Sequence, residues 1–272
     1  MRLLRTKDLR FEEYFGKPTP PYAILSHTWY PDHEEVTYRE MCVGKGTKKL
    51  GYDKVRKCGQ IAAGNGLKYF WVDTCCIDKS NNVELTESIR SMFEWYRKAR
   101  VCYAYLSDVS ALSFRPTVSC FKAIKWFTRG WTLQEFLAPA DVQFISKEWK
   151  YLGSKAGNLT RVIEEFTGIP KAVLEGVALT MFSVAERMSW AVGRRTTRVE
   201  DIAYSLMGIF DVDIPPLYGE KGNAFIRLQE EIMRRTDDQS IFAWKEPDPS
   251  FPKKLMVDYP RHPPPAYGSR ET

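Results

Sequence analysis

The stretch Gly66–Asp78, GLKYFWVDTCCID, decides the fold of this chain. Within it, Tyr69–Val72 is an unbroken run of aromatic and β-branched residues, preceded by a Gly-Asn-Gly breaker at 64–66. Such a run predicts a short strand buried on both faces, as parallel sheets contain. Ligands of open α/β sheets bind just outside the carboxyl ends of their strands. Asp73 and the residues after it are therefore expected at the rim of a site.

The same pattern recurs on both sides of this stretch. Further apolar runs predict strands at 22–25, 101–106 and 141–146. Apolar residues at helical spacing predict helices at 51–63, 85–100 and 131–138. Alternating strands and helices are typical of a parallel sheet covered by helices, so the fold class is α/β. Residues 1–15 suggest an edge strand or a short helix.

The chain becomes mainly helical beyond Lys147. Helices are predicted at 158–166, at 223–235 and after two capping boxes, Ser183-x-x-Glu186 and Thr197-x-x-Glu200. A late strand is suggested at 240–244, and the sequence beyond Glu246 is rich in proline. We therefore divide the chain into an α/β core at 1–150, a helical extension packed on it at 151–245 and a tail or linker at 246–272.

Composition excludes several classes of protein. The 272 residues are 44% hydrophobic and 27% charged, which is typical of a globular protein. No apolar run approaches the roughly 20 residues of a membrane span, and the N-terminus lacks the apolar segment of a signal peptide. The net charge of +6 is spread without the dense basic stripe of a nucleic-acid-binding protein. Six cysteines without metal spacing or a secretion signal predict reduced thiols in a cytoplasmic protein.

The sequence gives only weak support to two catalytic sites and one metal site. Cys75 and His27 both follow predicted strands and could form a Cys–His nucleophile, but buried cysteines usually serve only packing. A triad of Ser26 or Ser107 with His27 and Asp73 is weaker, because adjacent residues of a strand point to opposite faces. Acidic residues at Asp73, Asp78 and Asp108 could bind a hard cation, although such residues commonly cap turns.

Glu135 stands out because it is an acid among aromatic residues. The aromatic neighbours in sequence are Trp126, Phe127, Trp131 and Phe136. Trp131 and Glu135 are four residues apart and share one face of a helix. A partly buried carboxylate suits a glycosidic reaction with an oxocarbenium-like transition state. A surface helix whose Glu135 pairs with Arg129 or a lysine fits the spacing equally well.

Long motifs in the chain resemble the fungal heterokaryon-incompatibility (HET) domain. They are YAILSHTW at 22–29, GLKYFWVDTCCIDK at 66–79, ESIRSMFEWYRKARVCYAYLSDV at 87–109, WFTRGWTLQEFLAP at 126–139 and the segment 183–220. The resemblance implies an effector that triggers cell death when genetically unlike fungal cells fuse. It also implies a longer protein, in which a nucleotide-binding NACHT module and WD repeats often follow the domain.

The HET core is in turn distantly similar to the Toll/interleukin-receptor (TIR) domain. That similarity implies a TIR-like (flavodoxin-like) parallel sheet and cleavage of the nicotinamide–ribose bond of NAD⁺. Glu135 in WTLQE matches the catalytic glutamate of the TIR pattern W-C-x-x-E-L, with Thr132 and Phe136 in place of the Cys and Leu. The cysteines 75 and 76 then become packing residues behind the site.

The resemblance also implies the rest of the site. The expected substrate-binding residues are Ser26, His27, Thr28, Trp29, Asp73, Arg129 and Trp131. NAD⁺ would be the substrate and no other cofactor is expected, and self-association is expected for activity. The alternative is a non-enzymatic assembly module that signals as TIR adaptors do. Release of nicotinamide from NAD⁺ distinguishes the two.

Overall fold

The fold is a seven-stranded mixed sheet flanked by helices, as seen in a computed structural model that describes residues 1–243. The strands within this range are β1 (Arg2–Arg5), β2 (Phe11–Glu13), β3 (Tyr22–His27), β4 (Tyr69–Trp71), β5 (Val101–Tyr105), β6 (Val142–Ile145) and β7 (Tyr151–Ser154). Their order across the sheet is β2-β1-β4-β3-β5-β6-β7. The predicted α/β fold class is confirmed.

The four central strands are parallel and have the flavodoxin-like order. Counted along the chain, β3, β4, β5 and β6 are the first to fourth parallel strands, and they lie in the order second, first, third, fourth. Ala23 of β3 is in register with Phe70 on one side and with Val101 on the other. All six residues of β3 are buried, as expected for the central strand of a sheet covered on both faces.

Antiparallel strands close both ends of the sheet. β1 pairs with both β4 and β2, so the N-terminal segment forms two strands rather than the single edge strand or helix expected. At the other end β7 pairs with β6. The mainly helical region predicted beyond Lys147 therefore also contains a strand at 151–154, where pairing with β6 determines the conformation.

Helices connect the parallel strands and form the C-terminal region. They are α1 (Tyr38–Cys42), α2 (Leu50–Gly64), α3 (Asp73–Cys76), α4 (Asn82–Lys98), α5 (Val118–Ala123), α6 (Thr132–Leu137), α7 (Thr160–Thr167), α8 (Lys171–Leu174), α9 (Val184–Ser189), α10 (Asp201–Tyr204), α11 (Met207–Phe210) and α12 (Asn223–Arg235). Short 3-10 turns lie at Lys125–Thr128, Leu179–Met181 and Gln239–Phe242. Among the helices of residues 1–243, none combines the length and apolar character needed to cross a membrane.

One of the two predicted capping boxes forms. Ser183 accepts a hydrogen bond from the backbone of Glu186, whose carboxylate bonds back to Ser183, as predicted. The box at Thr197 is wrong, because the Glu200 carboxylate instead accepts from the backbone N–H groups of Gly219 and Lys221.

Two predictions concern the end of the chain. The strand suggested at 240–244 is wrong over the described residues 240–243, since Gln239–Phe242 forms a 3-10 turn. The proline-rich tail beyond Glu246 lies outside the described residues.

Aromatic rings fix the position of α6 on the sheet. Trp126 packs edge-on against Phe136 of α6 and against Phe144 of β6, with centroid distances of 5.9 Å and 5.8 Å. All three rings are completely buried. Edge-to-face packing of large rings stabilises by roughly 0.5–1.5 kcal/mol per pair beyond area burial, so α6 is held rigidly. This helix carries Glu135.

Candidate functional site

The candidate site lies at the carboxyl ends of β3 and β5, where the order of the parallel strands reverses. From β3 the chain crosses to β4 on one side and then returns through α4 to β5 on the other. Connections that leave in opposite directions open a crevice, and ligands of doubly wound sheets bind there. Ser26 and His27 end β3 at this edge, and Asp73 starts α3 just beyond β4.

Glu135 meets the end of β3 through Ser26. The completely buried Ser26 hydroxyl donates a hydrogen bond to Oε2 of Glu135 and accepts one from Nε1 of Trp126 at 2.7 Å. Glu135 itself is only 7% exposed. The structure thus brings together the predicted catalyst and one of the predicted binding residues, although they are 109 positions apart in sequence.

The environment of Glu135 favours its protonated form. Burial, together with the negative charge of Asp73, raises the pKa of Glu135 from 4.5 to about 8. Hydrogen bonds with Ser26 and Tyr96 and the positive charge of Arg129 act in the opposite direction but do not outweigh the burial. At pH 7 about one Glu135 side chain in ten is ionised in the free protein. An acid with a pKa near physiological pH is suited to chemistry that changes its charge.

His27 is locked between two charged groups. Its Nδ1 atom lies 2.7 Å from Nζ of Lys54, and its Nε2 atom lies 3.0 Å from Oδ1 of Asp73. An ammonium group can only donate, so Nδ1 is the acceptor and Nε2 carries the proton that is donated to Asp73. Because both ring nitrogens are occupied, His27 orients Asp73 and is not free to act as a base.

Lys54 is a buried residue of the site that the sequence analysis missed. It lies on α2, is 2% exposed and forms an ion pair with Glu35 at 2.5 Å. Burial lowers the pKa of Lys54, while the charge of Glu35 opposes the shift. Lys54 is three residues after Gly51 and four before Cys58, both of which are buried. That spacing was the available signal.

Asp73 holds the indole of Trp29 at the rim. Its Oδ2 atom accepts a hydrogen bond from Nε1 of Trp29 at 2.8 Å. Burial would raise the pKa of Asp73, but the charge of Lys79 and the hydrogen bonds of His27 and Trp29 outweigh it and keep the pKa well below its usual range. Lys79 Nζ lies 3.5 Å from the centroid of the Trp29 ring. Trp29 is 46% exposed and forms an aromatic surface at the mouth of the site.

The other predicted substrate-binding residues, Thr28, Arg129 and Trp131, make no hydrogen bond with the Ser26 hydroxyl or the His27 ring in the described residues. The Thr28 hydroxyl lies 3.3 Å from that of Ser107 at the end of β5. Arg129 is half-buried, and its charge lowers the pKa of Glu135. Trp131 immediately precedes α6, but its indole bonds to the carboxylate of Asp201 in the helical extension. Its backbone carbonyl accepts the N–H of Glu135 at 3.4 Å, so the two residues are one helical turn apart, as the spacing predicts.

The weaker alternatives find no geometric support. Burial raises the pKa of the Cys75 thiol well above its usual range, and His27 is fully engaged elsewhere, so no thiolate–imidazole pair forms. Ser26 bonds to Glu135 and Trp126 rather than to His27, so the Ser–His–Asp triad is not assembled. Within residues 1–243, no three His, Cys, Asp or Glu side chains converge as metal ligands.

Comparisons with known proteins agree with the resemblance read from the sequence. Residues 22–124 match the family model described as heterokaryon incompatibility protein (HET), and residues 223–264 match a domain of unknown function, DUF8212. The chain is 52% identical over 243 residues to vegetative incompatibility protein HET-E-1 of Podospora anserina. That alignment covers 87% of this chain but only 18% of the relative's length. No solved structure matches the chain significantly.

Proposed function

Since the chain belongs to the heterokaryon incompatibility (HET) family, we propose that it is the cell-death effector domain of a fungal vegetative incompatibility protein. We further propose that it hydrolyses the nicotinamide–ribose bond of NAD⁺, with Glu135 as the catalytic carboxylate. One observation carries this proposal: a nearly buried carboxyl group with a raised pKa lies at the strand-order reversal of a flavodoxin-like sheet.

The reaction requires only one carboxylate from the protein as a catalytic group. The bond between the ribose C1′ atom and the nicotinamide nitrogen breaks, and its electron pair neutralises the pyridinium ring, which leaves as nicotinamide. Water adds to C1′ and loses a proton, giving ADP-ribose. A desolvated carboxylate stabilises the positive charge that develops on the ribose. No general acid is needed, because the leaving group is neutral.

Substrate charge would bring Glu135 into its active form. The nicotinamide ring of NAD⁺ is a cation, and a cation near a buried carboxyl group favours ionisation. Glu135 is therefore mainly protonated in the free protein and loses its proton as substrate binds. Because the carboxyl group is mainly neutral in the free protein, its burial costs less free energy than burial of a carboxylate would.

The rim of the site offers groups for the rest of the dinucleotide. Trp29 presents an aromatic surface on which a base can stack. Lys79, Thr28 and Arg129 supply the donors for phosphates and hydroxyls. Glu135 is 7% exposed, so the neighbouring side chains must move to admit substrate. We propose that self-association drives this opening, in the cytoplasm and within a longer protein that carries a NACHT module and WD repeats.

Nicotinamide release from NAD⁺ tests the enzymatic proposal. The purified protein is incubated with NAD⁺ at high concentration, and nicotinamide is quantified by chromatography. Glu135→Gln keeps the size of the side chain and is expected to reduce release by at least about 100-fold. Glu200→Gln is the matched control, because Glu200 is equally buried at 7% but bonds to the backbone of the helical extension. Equal release by wild type and Glu135→Gln would refute the role of Glu135.

A non-enzymatic assembly module is the second candidate. The observation that favours it is the near-complete burial of Glu135, whose Ser26 contact also suits a purely structural role. In this case Glu135→Gln retains full cell-death activity on expression in fungal cells. Retained killing together with absent nicotinamide release would establish the second candidate.

A further inference from the structure

A buried arginine of the helical extension lies against the start of the helix that carries Glu135. Arg194 is 6% exposed, and its Nη1 atom donates hydrogen bonds to the carbonyl oxygen of Arg129 at 3.1 Å and to Oγ1 of Thr132 at 3.0 Å. Thr132 is the first residue of α6, and Glu135 is one turn further on. The side chain of Arg194 thus fixes the turn from which Glu135 projects.

The backbone reinforces this contact. The Arg195 N–H group donates to the carbonyl of Thr128 at 2.7 Å, and Gly130 N–H donates to the carbonyl of Arg195 at 2.8 Å. These bonds make a parallel bridge between Arg129 and Arg195. A Cβ atom on Gly130 would lie 2.4 Å from Cγ2 of Thr196, so a larger residue at position 130 would force Thr196 to move. The helical extension and the loop before α6 are therefore joined by backbone hydrogen bonds.

Within residues 1–243, the buried charge of Arg194 has no direct ion-pair partner. In residues 1–243 no carboxylate lies within 4.0 Å of its guanidinium. Burial lowers the pKa of Arg194 to about 9, and the carboxyl group of Glu135 opposes that shift. An isolated charge is costly in a protein interior unless an opposite charge is close. Once Glu135 ionises, its carboxylate supplies that charge.

We propose that Arg194 is a positioning residue for Glu135: it holds the first turn of α6 and stabilises the ionised carboxylate. This proposal rests on the catalytic role proposed for Glu135. It also extends the functional unit, because the segment that matches the HET model ends at residue 124 and contains neither Arg194 nor Glu135.

Other groups that face Glu135 act on the same equilibrium. Asp73 from α3 opposes ionisation, whereas Ser26 from β3, Tyr96 from α4 and Arg129 from the preceding loop favour it. The Cys102 thiol of β5 contacts the Glu135 carbonyl oxygen and stays protonated, because burial raises its pKa. Arg194 differs from all of these in being supplied by the helical extension.

Two variants separate the charge of Arg194 from its geometry. Arg194→Met removes the charge. It is expected to raise the titration midpoint of Glu135 by about one pH unit, measured by ¹³C NMR of the carboxyl group. Nicotinamide release at pH 7 should then be about tenfold slower. Arg194→Lys keeps a positive charge but loses the fixed geometry of the guanidinium. It is expected to leave the midpoint within about 0.3 units and to reduce kcat about tenfold, with KM little changed.

Arg187→Met is the matched control. Arg187 is also a buried arginine of the extension, but it bonds to the carbonyl of Ile209 and packs over Phe210. This variant is expected to leave both the Glu135 midpoint and kcat unchanged. A folded Arg194→Met protein whose midpoint stays within about 0.3 units of wild type overturns the electrostatic part of the proposal.

An unchanged kcat in Arg194→Lys overturns the positioning part of the proposal. If Arg194→Met does not fold, Arg194→Lys alone tests the proposal. If the wild-type protein releases no nicotinamide at any pH, the proposed enzymatic function fails. The Glu135 titration still decides the role of Arg194 in that case, because it does not depend on activity.

Discussion

Lys54 Nζ lies 2.7 Å from Nδ1 of His27, so an ammonium group from α2 determines which nitrogen of the β3 imidazole carries the proton. That proton is donated to Asp73, which in turn accepts the indole N–H of Trp29. A relay of four side chains therefore runs from the interior to the rim. Each side chain in this relay orients the next one, because every hydrogen bond joins a fixed donor to a fixed acceptor.

Removing the buried ammonium should destabilise the protein strongly. Lys54→Met leaves Glu35 as a buried carboxylate, 5% exposed, without its ion-pair partner. The expected loss is about 3–5 kcal/mol in the free energy of unfolding, measured by urea denaturation. Arg56→Met on the same helix breaks only the exposed pair with Asp53 and should cost less than about 1 kcal/mol.

The double variant provides the internal check of that prediction. Lys54→Met combined with Glu35→Gln removes both charges, and it should be more stable than Lys54→Met alone. A Lys54→Met protein as stable as wild type would show that the pair is not desolvated as the structure indicates.

Ser26→Ala tests the contact between β3 and α6. The variant leaves the buried Nε1 atom of Trp126 without an acceptor and removes a hydrogen bond from Glu135. We expect a loss of about 1–3 kcal/mol in unfolding free energy. The pKa of Glu135 should also rise further, because the Ser26 bond lowers it in the wild type. Ser113→Ala at an exposed position should change stability by less than about 0.5 kcal/mol.

Glu135 should make the protein less stable as pH rises. Its folded-state pKa of about 8 exceeds its ordinary value of 4.5, so between these values the folded state binds more protons than the unfolded state. The stability that it contributes is fully present below about pH 4.5 and is lost as pH rises to about 8. The slope for one proton is about 1.4 kcal/mol per pH unit.

Glu135→Gln should abolish that component of the pH dependence. Urea denaturation at pH 5, 6, 7 and 8 is expected to give the variant a growing advantage over wild type as pH increases. Glu200→Gln should give a stability difference from wild type that is constant from pH 5 to 8, because backbone hydrogen bonds lower the pKa of Glu200 and its contribution is lost only as pH falls below its ordinary value of 4.5. Parallel stability curves for wild type and Glu135→Gln would contradict a raised pKa.

Trp29 should affect substrate binding more than folding. Base–aromatic stacking contributes about 1–3 kcal/mol, so Trp29→Ala should raise KM for NAD⁺ by about 5-fold to 150-fold. Trp29→Phe should retain most of the affinity, since the ring remains. Phe15→Ala, which removes an aromatic ring of similar exposure at 47% after β2, is the control and should leave KM unchanged. An unchanged KM in Trp29→Ala would remove Trp29 from the substrate site.

The parallel core was predictable because its strands are buried on both faces. Tyr69–Trp71 and Val101–Tyr105 lie within predicted apolar runs, and the breakers around them mark their ends. β7 was not predicted, because a four-residue edge strand depends on its partner and carries little signal of its own. Likewise, the false capping box at Thr197 has the right spacing, but Glu200 bonds to a distant loop instead.

The candidate site was only half predictable for a related reason. Ser26 and Asp73 follow from the ends of strands, and Glu135 from a resemblance in its motif. Lys54 and Arg194 were missed, because basic residues are usually solvated and their burial depends on tertiary contacts. The interaction of Trp131 with Asp201 was not predicted, since the spacing of Trp131 from Glu135 does not reveal it.

The antiparallel strands at both ends of the sheet constrain how copies of this domain can polymerise. β2 and β7 are the outer strands, with three and four residues, and they offer short edges that disfavour joining one sheet to the next. The parallel strands have no free hydrogen-bonding edge. A ring or filament of these domains would therefore be joined through helices and loops, and its repeat distance would exceed the 4.7–4.9 Å of stacked strands.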